Sequence, residues 1–538
     1  MMEVVFKDKR VLIIDDFPEM RSSLRRMLRS FGIENCDDVD SGEKAIEKME
    51  ENAYDVVLCD YNLGLNRKDG QQVLEEAKHR ELLPYHVIFM MITAENTMAM
   101  VMGAVEYKPD DYLTKPFTKE VLQTRLKRLL AHKTHMVGLD RAVHNKEYAK
   151  AIAICDSHLA GKPKNIMELL KVKSGLCLKA GDFELAAKTY QQVLEVRELP
   201  WARMGLGQSF YHENRFEDAK KTFEDLIKQN KTNIEAYDWL AKVLVKLNQP
   251  EAAQEVLAKA VELSPNAIKR MQELGELAHE NHDLDTAKKS YKKAIQLGKH
   301  SCLKDPEQFT GLAKVLVEQD NTDEALEVAQ ATRKEFKGNT DADLQASVME
   351  GVIYTQRHEE DKAKEAIGKA NQLYEENKGE VSASVTMDMA KVNFAVGDEE
   401  HGKGLVQDLV RDHHEDERFL EEVEAVLENS SLKDEGKNII EQTKKEIIDI
   451  NNKGVYLVKE GKMEEAISFL EQAADGLPNN KTINLNAAQA MLLFMERNGK
   501  DEGYIKKSRQ FLDRVAKTDS ASEKYQRLMG LYQGIIAA

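Results

Sequence analysis

Four short motifs near the start of the chain carry groups that could act together. Asp15-Asp16 is an acidic pair, and Asp60 is a lone acid after an apolar run. Thr93 supplies a hydroxyl, and Lys115, followed by Pro116, an ammonium. An aspartate attacks a phosphoryl group poorly unless the meeting charges are neutralised. A hard divalent cation takes carboxylate, carbonyl and water oxygens, and a fixed ammonium adds to its effect. Grouped carboxylates with one lysine and one hydroxyl therefore point to phosphoryl transfer onto an aspartate. A lone acid at a strand end is common and would mean little. The full set, in this order, means much more.

Elements must bring these residues together. Val11-Leu12-Ile13-Ile14 reads as a fully buried strand. Asp55-Val56-Val57-Leu58-Cys59 and Val87 to Ile92 read the same way, and Tyr112-Leu113 as a short strand ahead of Lys115. Helical patterns run through Arg21 to Phe31, Gly42 to Glu51, Gly70 to Glu81 and Lys119 to Leu130. Strands alternating with helices imply a parallel sheet covered on both faces. In such a sheet ligands gather at the carboxyl ends of the strands. Each motif follows a strand, so all four are expected at one cleft.

On these motifs, residues 7 to about 130 resemble the receiver domain of two-component response regulators, of the chemotaxis type. The resemblance implies a doubly wound, flavodoxin-like α/β fold with Asp60 as phospho-acceptor. It implies Mg2+ held by Asp15, Asp16, Asp60 and the main-chain carbonyl of Asn62, with Asp16 binding directly and Asp15 partly through water. Lys115 and Thr93 would assist the transfer, Tyr112 would be the switch aromatic, and Asn62 and Glu95 would tune the lifetime of the acyl phosphate. The implied partner is a cognate histidine kinase or phosphotransfer protein. The implied responsive face is built from the fourth helix, the fifth strand and the last helix, Lys119 to about His135. One departure is the loop from Tyr61 to Gly70. It is about two residues longer than in chemotaxis-type receivers and lacks their usual proline.

Beyond about residue 133 strand-like runs stop and helical periodicity takes over. A short polar turn followed by alanine recurs: Ala219, Ala253 and Ala287 are 34 residues apart, with Ala186 upstream and Ala325, Ala363 and Ala466 downstream. A 34-residue helix-turn-helix period is the tetratricopeptide signature. Small residues are needed where the paired helices cross, and large apolar ones fill the gap to the next pair. Near residue 402 the expected alanine is Gly402, and Arg411 to Lys437 is highly charged with little pattern.

Charge and cysteine usage exclude other classes. A net charge of −17 argues against a nucleic-acid-binding output, which would show a basic face. The five cysteines are scattered, with no C-x-x-C pair, as in a reduced cytoplasmic protein. The amino terminus lacks the apolar core of a signal peptide, and no run approaches the ~18 apolar residues that span a bilayer. The pairs His279/His282 and His413/His414 lack companion ligands, and Trp201, Tyr237 and Trp239 read as repeat core.

The expected organisation is a receiver at 1–132, a tetratricopeptide array at 133–410, a degenerate repeat or break at 411–445, and C-terminal repeats with a capping helix at 446–538. The expected function is a response regulator that takes a phosphoryl group on Asp60. Its repeats would bind a downstream protein on their concave surface, with no DNA output and no enzyme activity beyond self-phosphorylation and slow dephosphorylation. An alternative is a phosphorylation-gated homo-oligomeric scaffold whose repeats mainly dimerise, distinguished by a mass change confined to the activated form.

Overall fold

The computed structural model describes residues 6–64, 67–94, 108–133, 137–145, 147–161, 166–377, 379, 381–519 and 522–537. The chain divides into two compact units, Met1–Asp305 and Pro306–Ala538.

The first unit opens on a five-stranded sheet: β1 (Arg10–Ile14), β2 (Asn35–Val39), β3 (Val56–Asp60), β4 (Ile88–Thr93) and β5 (Asp111–Thr114), in the order β2-β1-β3-β4-β5. Every pairing is parallel. Strand alternation splits the core between two faces. Leu12, Ile14, Val57, Cys59, Phe89 and Met91 pack with helices Gly42–Glu51 and Gly70–His79. Val11, Ile13, Val56, Leu58, Met90 and Ile92 pack with helices Pro18–Ser30 and Lys119–Lys133. Burial on both sides explains why β1, β3 and β4 read as unbroken apolar runs. β2 is an edge strand, Asn-Cys-Asp-Asp-Val, buried only at Val39, and its sequence carries no such run. The result is the flavodoxin-like α/β fold expected from the sequence.

Helices follow to the carboxyl end, in pairs whose turns share one backbone device. Gly181, Asn214, Asn248, His282, Asp320, His358, Gly397 and Gly461 all have positive φ, between 57° and 84°. Each ends a helix in the left-handed conformation, so that the next residue's N–H reaches back to an orphan carbonyl, as from Arg215 to Phe210 at 2.8 Å. The alanines of the repeat, Ala186, Ala219, Ala253, Ala287, Ala325, Ala363 and Ala466, are all fully buried. At Gly402 the space of an alanine methyl is filled by the Phe394 ring, which an added Cβ would meet at 2.7 Å. Within the second unit, helix Glu417–Glu428 lies in the charged stretch after Arg411. Its Leu420, Val423 and Leu427 join the cluster formed by Val406, Leu409 and Ile439. This is a tetratricopeptide solenoid. Among the described residues no helix is long and apolar enough to cross a membrane.

Candidate functional site

The site lies at the carboxyl ends of β1, β3, β4 and β5. Asp15 follows Ile14, Asp60 ends β3, Thr93 ends β4 and Lys115 follows β5. Register sets their approach: Asp60 pairs with Ile92 on β4, and Thr93 with Thr114 on β5. The Lys115 N–H donates to the Thr93 carbonyl at 2.7 Å, and the Lys115–Pro116 peptide is cis.

The side chains meet. Lys115 Nζ is 3.0 Å from an Asp15 oxygen and 3.0 Å from an Asp60 oxygen. Carboxylate oxygens of Asp15, Asp16 and Asp60 all lie within 4.8 Å of one another. Asp15, Asp60 and Thr93 are buried. Three carboxylates against one ammonium leave excess negative charge in a low-dielectric pocket. Asp16 Oδ1 is buried without a hydrogen-bond partner, a cost that a cation would remove. An all-oxygen acidic donor set fits a hard divalent ion such as Mg2+. It is the only such grouping of acids, histidines or cysteines among the described residues.

Electrostatics follow from this crowding. Burial pushes the Asp60 carboxyl from 3.8 up to about 6; the Lys115 ammonium pulls the other way, and the Asp15 charge adds to the rise. Burial opposes the charge on Lys115, but Asp60 and then Asp15 outweigh it and hold the ammonium above its ordinary value. Burial raises the Tyr112 phenol, whose ring packs against the apolar cluster containing Cys59 and Met91.

The loop after Asp60 is built tightly. Asn62 Oδ1 accepts from the Gly64 N–H at 3.1 Å, and Gly64 has φ +102°. A Cβ at Gly64 would stand 3.9 Å from an Asp16 carboxylate oxygen, so the loop passes beside the acids. The Asn62 side chain is exposed. Glu95 lies outside the described residues.

Two supporting residues carry no motif that the sequence would flag. Arg21 Nη1 donates to the main-chain carbonyls of Asp15 at 2.7 Å and Asp16 at 3.2 Å, while its Nε meets Asp38 at 3.1 Å. It thus ties the acidic pair's backbone to β2. Gly70 is the other: a Cβ there would fall 2.2 Å from the Asp60 carbonyl oxygen. Only glycine lets the next helix start so close to Asp60.

Two parts of the chain are similar to known proteins. The family model described as response regulator receiver domain matches residues 11–127, and tetratricopeptide repeat models match 178–234, 210–275 and 450–475. Chemotaxis protein CheY-3 of Vibrio cholerae serotype O1 is 29% identical over 133 residues, covering 24% of this chain and 97% of that protein. Chemotaxis protein CheY of Pseudomonas aeruginosa is 29% identical over 121 residues, covering 22% and 94%. A solved tetratricopeptide repeat protein from Parabacteroides merdae superposes with a TM-score of 0.33 at 14% identity, covering 48% of this chain and 97% of that one.

Proposed function

We propose that this chain, a receiver domain joined to tetratricopeptide repeats, is a response regulator that accepts a phosphoryl group on Asp60. One observation carries the reading: Asp60 ends β3 with its carboxylate 3.0 Å from Lys115 and grouped with Asp15 and Asp16. The donor is a histidine kinase or phosphotransfer protein. An Asp60 oxygen attacks phosphorus, the bond from phosphorus to the donor imidazole nitrogen breaks, and the electron pair leaves with the imidazole. The product is an acyl phosphate. Asp15, Asp16, Asp60 and the Asn62 carbonyl would hold Mg2+, which when bound neutralises the phosphoryl oxygens. Lys115 would neutralise further charge on the phosphoryl group and orients the Asp60 carboxylate, which it meets at 3.0 Å. Thr93 stands at the end of the adjacent strand to bond a phosphoryl oxygen, and Tyr112 relays that shift along β5. Asn62 and Glu95 set the lifetime. The protein is cytoplasmic and turns over no other substrate; its repeats hand the signal to a downstream protein.

Incubation with Mg2+ and acetyl phosphate should add one phosphoryl mass that is lost in alkali and in neutral hydroxylamine. Asp60→Asn should abolish the addition. An adduct that resists hydroxylamine, or one that persists in the variant, would remove Asp60 from the reaction.

A further inference from the structure

Within the first unit the receiver touches the helical region at several points, one of them Gln72. Its Oε1 accepts from the Asp69 N–H at 3.1 Å, while the Asp69 side chain accepts from the Gln72 N–H at 2.8 Å, closing a capping box on helix Gly70–His79. The same Gln72 side chain, through Nε2, reaches the main-chain carbonyl of Leu297 at 3.5 Å. One turn on, Ser301 donates to Glu75 at 2.5 Å. The turn before β4 adds a second anchor. Asp140 accepts from the Tyr85 N–H at 2.7 Å and sits 2.6 Å from His86 Nδ1. Lys108 pairs with Glu235 as a third.

The path from this contact back to Asp60 is short. Gly70 N–H donates to the Tyr61 carbonyl at 2.8 Å, and the Tyr61 hydroxyl meets Gln71 at 3.3 Å. There is no room for a Cβ between Gly70 and the Asp60 carbonyl, so the start of helix Gly70–His79 lies directly against Asp60 and Tyr61. Lys68 adds a part-buried ion pair with Glu76 of that helix. A group added at Asp60 is therefore next to the helix that contacts Leu297 and Ser301. The junction is mixed: Tyr85 packs against the apolar cluster of Leu139, Ala142 and Leu176, and the other contacts are polar. A cleft of about 500 Å³ remains between Glu75, Lys78 and His79 on one side and Asp238, Lys242 and Arg270 on the other. A partly solvated junction within a chain moves more readily than a fully apolar one.

We propose that the repeat surface around Glu235 and Leu297–Ser301 is a binding surface for the chain's own receiver, and that phosphorylation at Asp60 acts on the repeats through helix Gly70–His79. This rests on Asp60 as the phospho-acceptor. It differs from the face of fourth helix, fifth strand and last helix that the family resemblance implies.

Hydrogen exchange of the full chain, with and without Mg2+ and beryllofluoride, tests it. Protection at 56–64 reports occupancy of the site. The proposal expects at least a threefold change in exchange in both 70–79 and 297–303. It expects Ser301→Ala and Asp140→Ala to label normally with acetyl phosphate but to lose most of the response at 297–303. Two variants guard against misfolding in either one, and their circular dichroism should match the parent. Protection at 56–64 with no change at 297–303 overturns the coupling and leaves the acceptor standing. No protection and no labelling overturns both.

Discussion

At the scale of single residues, the cost of the site is concentrated at Asp60. Its carboxyl titrates at about 6 in the fold against 3.8 in an unfolded chain. The native state therefore holds the proton more tightly than the unfolded state. Stability from this group is fully present below the unfolded value and is lost as pH rises through about 6. At neutral pH without divalent cations, keeping this carboxylate ionised in the fold costs up to about 3 kcal/mol. Asp60→Asn should recover most of that at pH 7.5 in chelator and only about a third of it at pH 4.5. Urea unfolding at the two pH values measures the difference. An equal gain at both would mean that burial of the charge is not what the substitution relieves. Mg2+ should also narrow the gap at pH 7.5, because the ionised parent offers the cation one more carboxylate than the variant does.

At the scale of elements, legibility followed burial and backbone geometry. β1, β3 and β4 are buried on both faces and announced themselves as apolar runs. β2 is an edge strand with Asp37 and Asp38 in its middle, both drawn into arginine pairs, so its residues are polar for reasons that only the fold displays. The motif residues were legible because each must follow a strand to reach the cleft. Arg21 was not, since an arginine on a helix is ordinarily solvated, and its targets here are main-chain carbonyls that leave no trace in sequence. In the repeats, alanines marked helix crossings well, but the turn residue varies among Gly, Asn, His and Asp while the conformation stays left-handed. That conformation gives a clean test. Gly461 has φ +77° and nothing within 4 Å of where a methyl would stand, so Gly461→Ala meets only the backbone penalty. It should cost about 1 kcal/mol, read by chemical denaturation. A neutral result would mean that this turn relaxes without cost.

At the scale of the whole molecule, the compact units do not coincide with the change of fold type. The division falls after Asp305, well inside the helical region, so the receiver shares a unit with the first repeats. Solenoid stability is close to a sum over nearest neighbours, and a chain with more than one compact unit need not unfold in one step. Scanning calorimetry of the full chain should therefore resolve at least two transitions. Asp60→Asn in chelator should move one of them upwards, and Gly461→Ala should move the other downwards, because Asp60 lies in the first unit and Gly461 in the second. If the first repeats are held by the receiver through Ser301 and Asp140, Asp140→Ala should lower the transition that responds to Asp60→Asn and leave the other in place. A single transition displaced by all three variants would instead mean that the receiver and every repeat fold as one cooperative body. The signal from Asp60 could then reach the last repeats without any local contact to carry it.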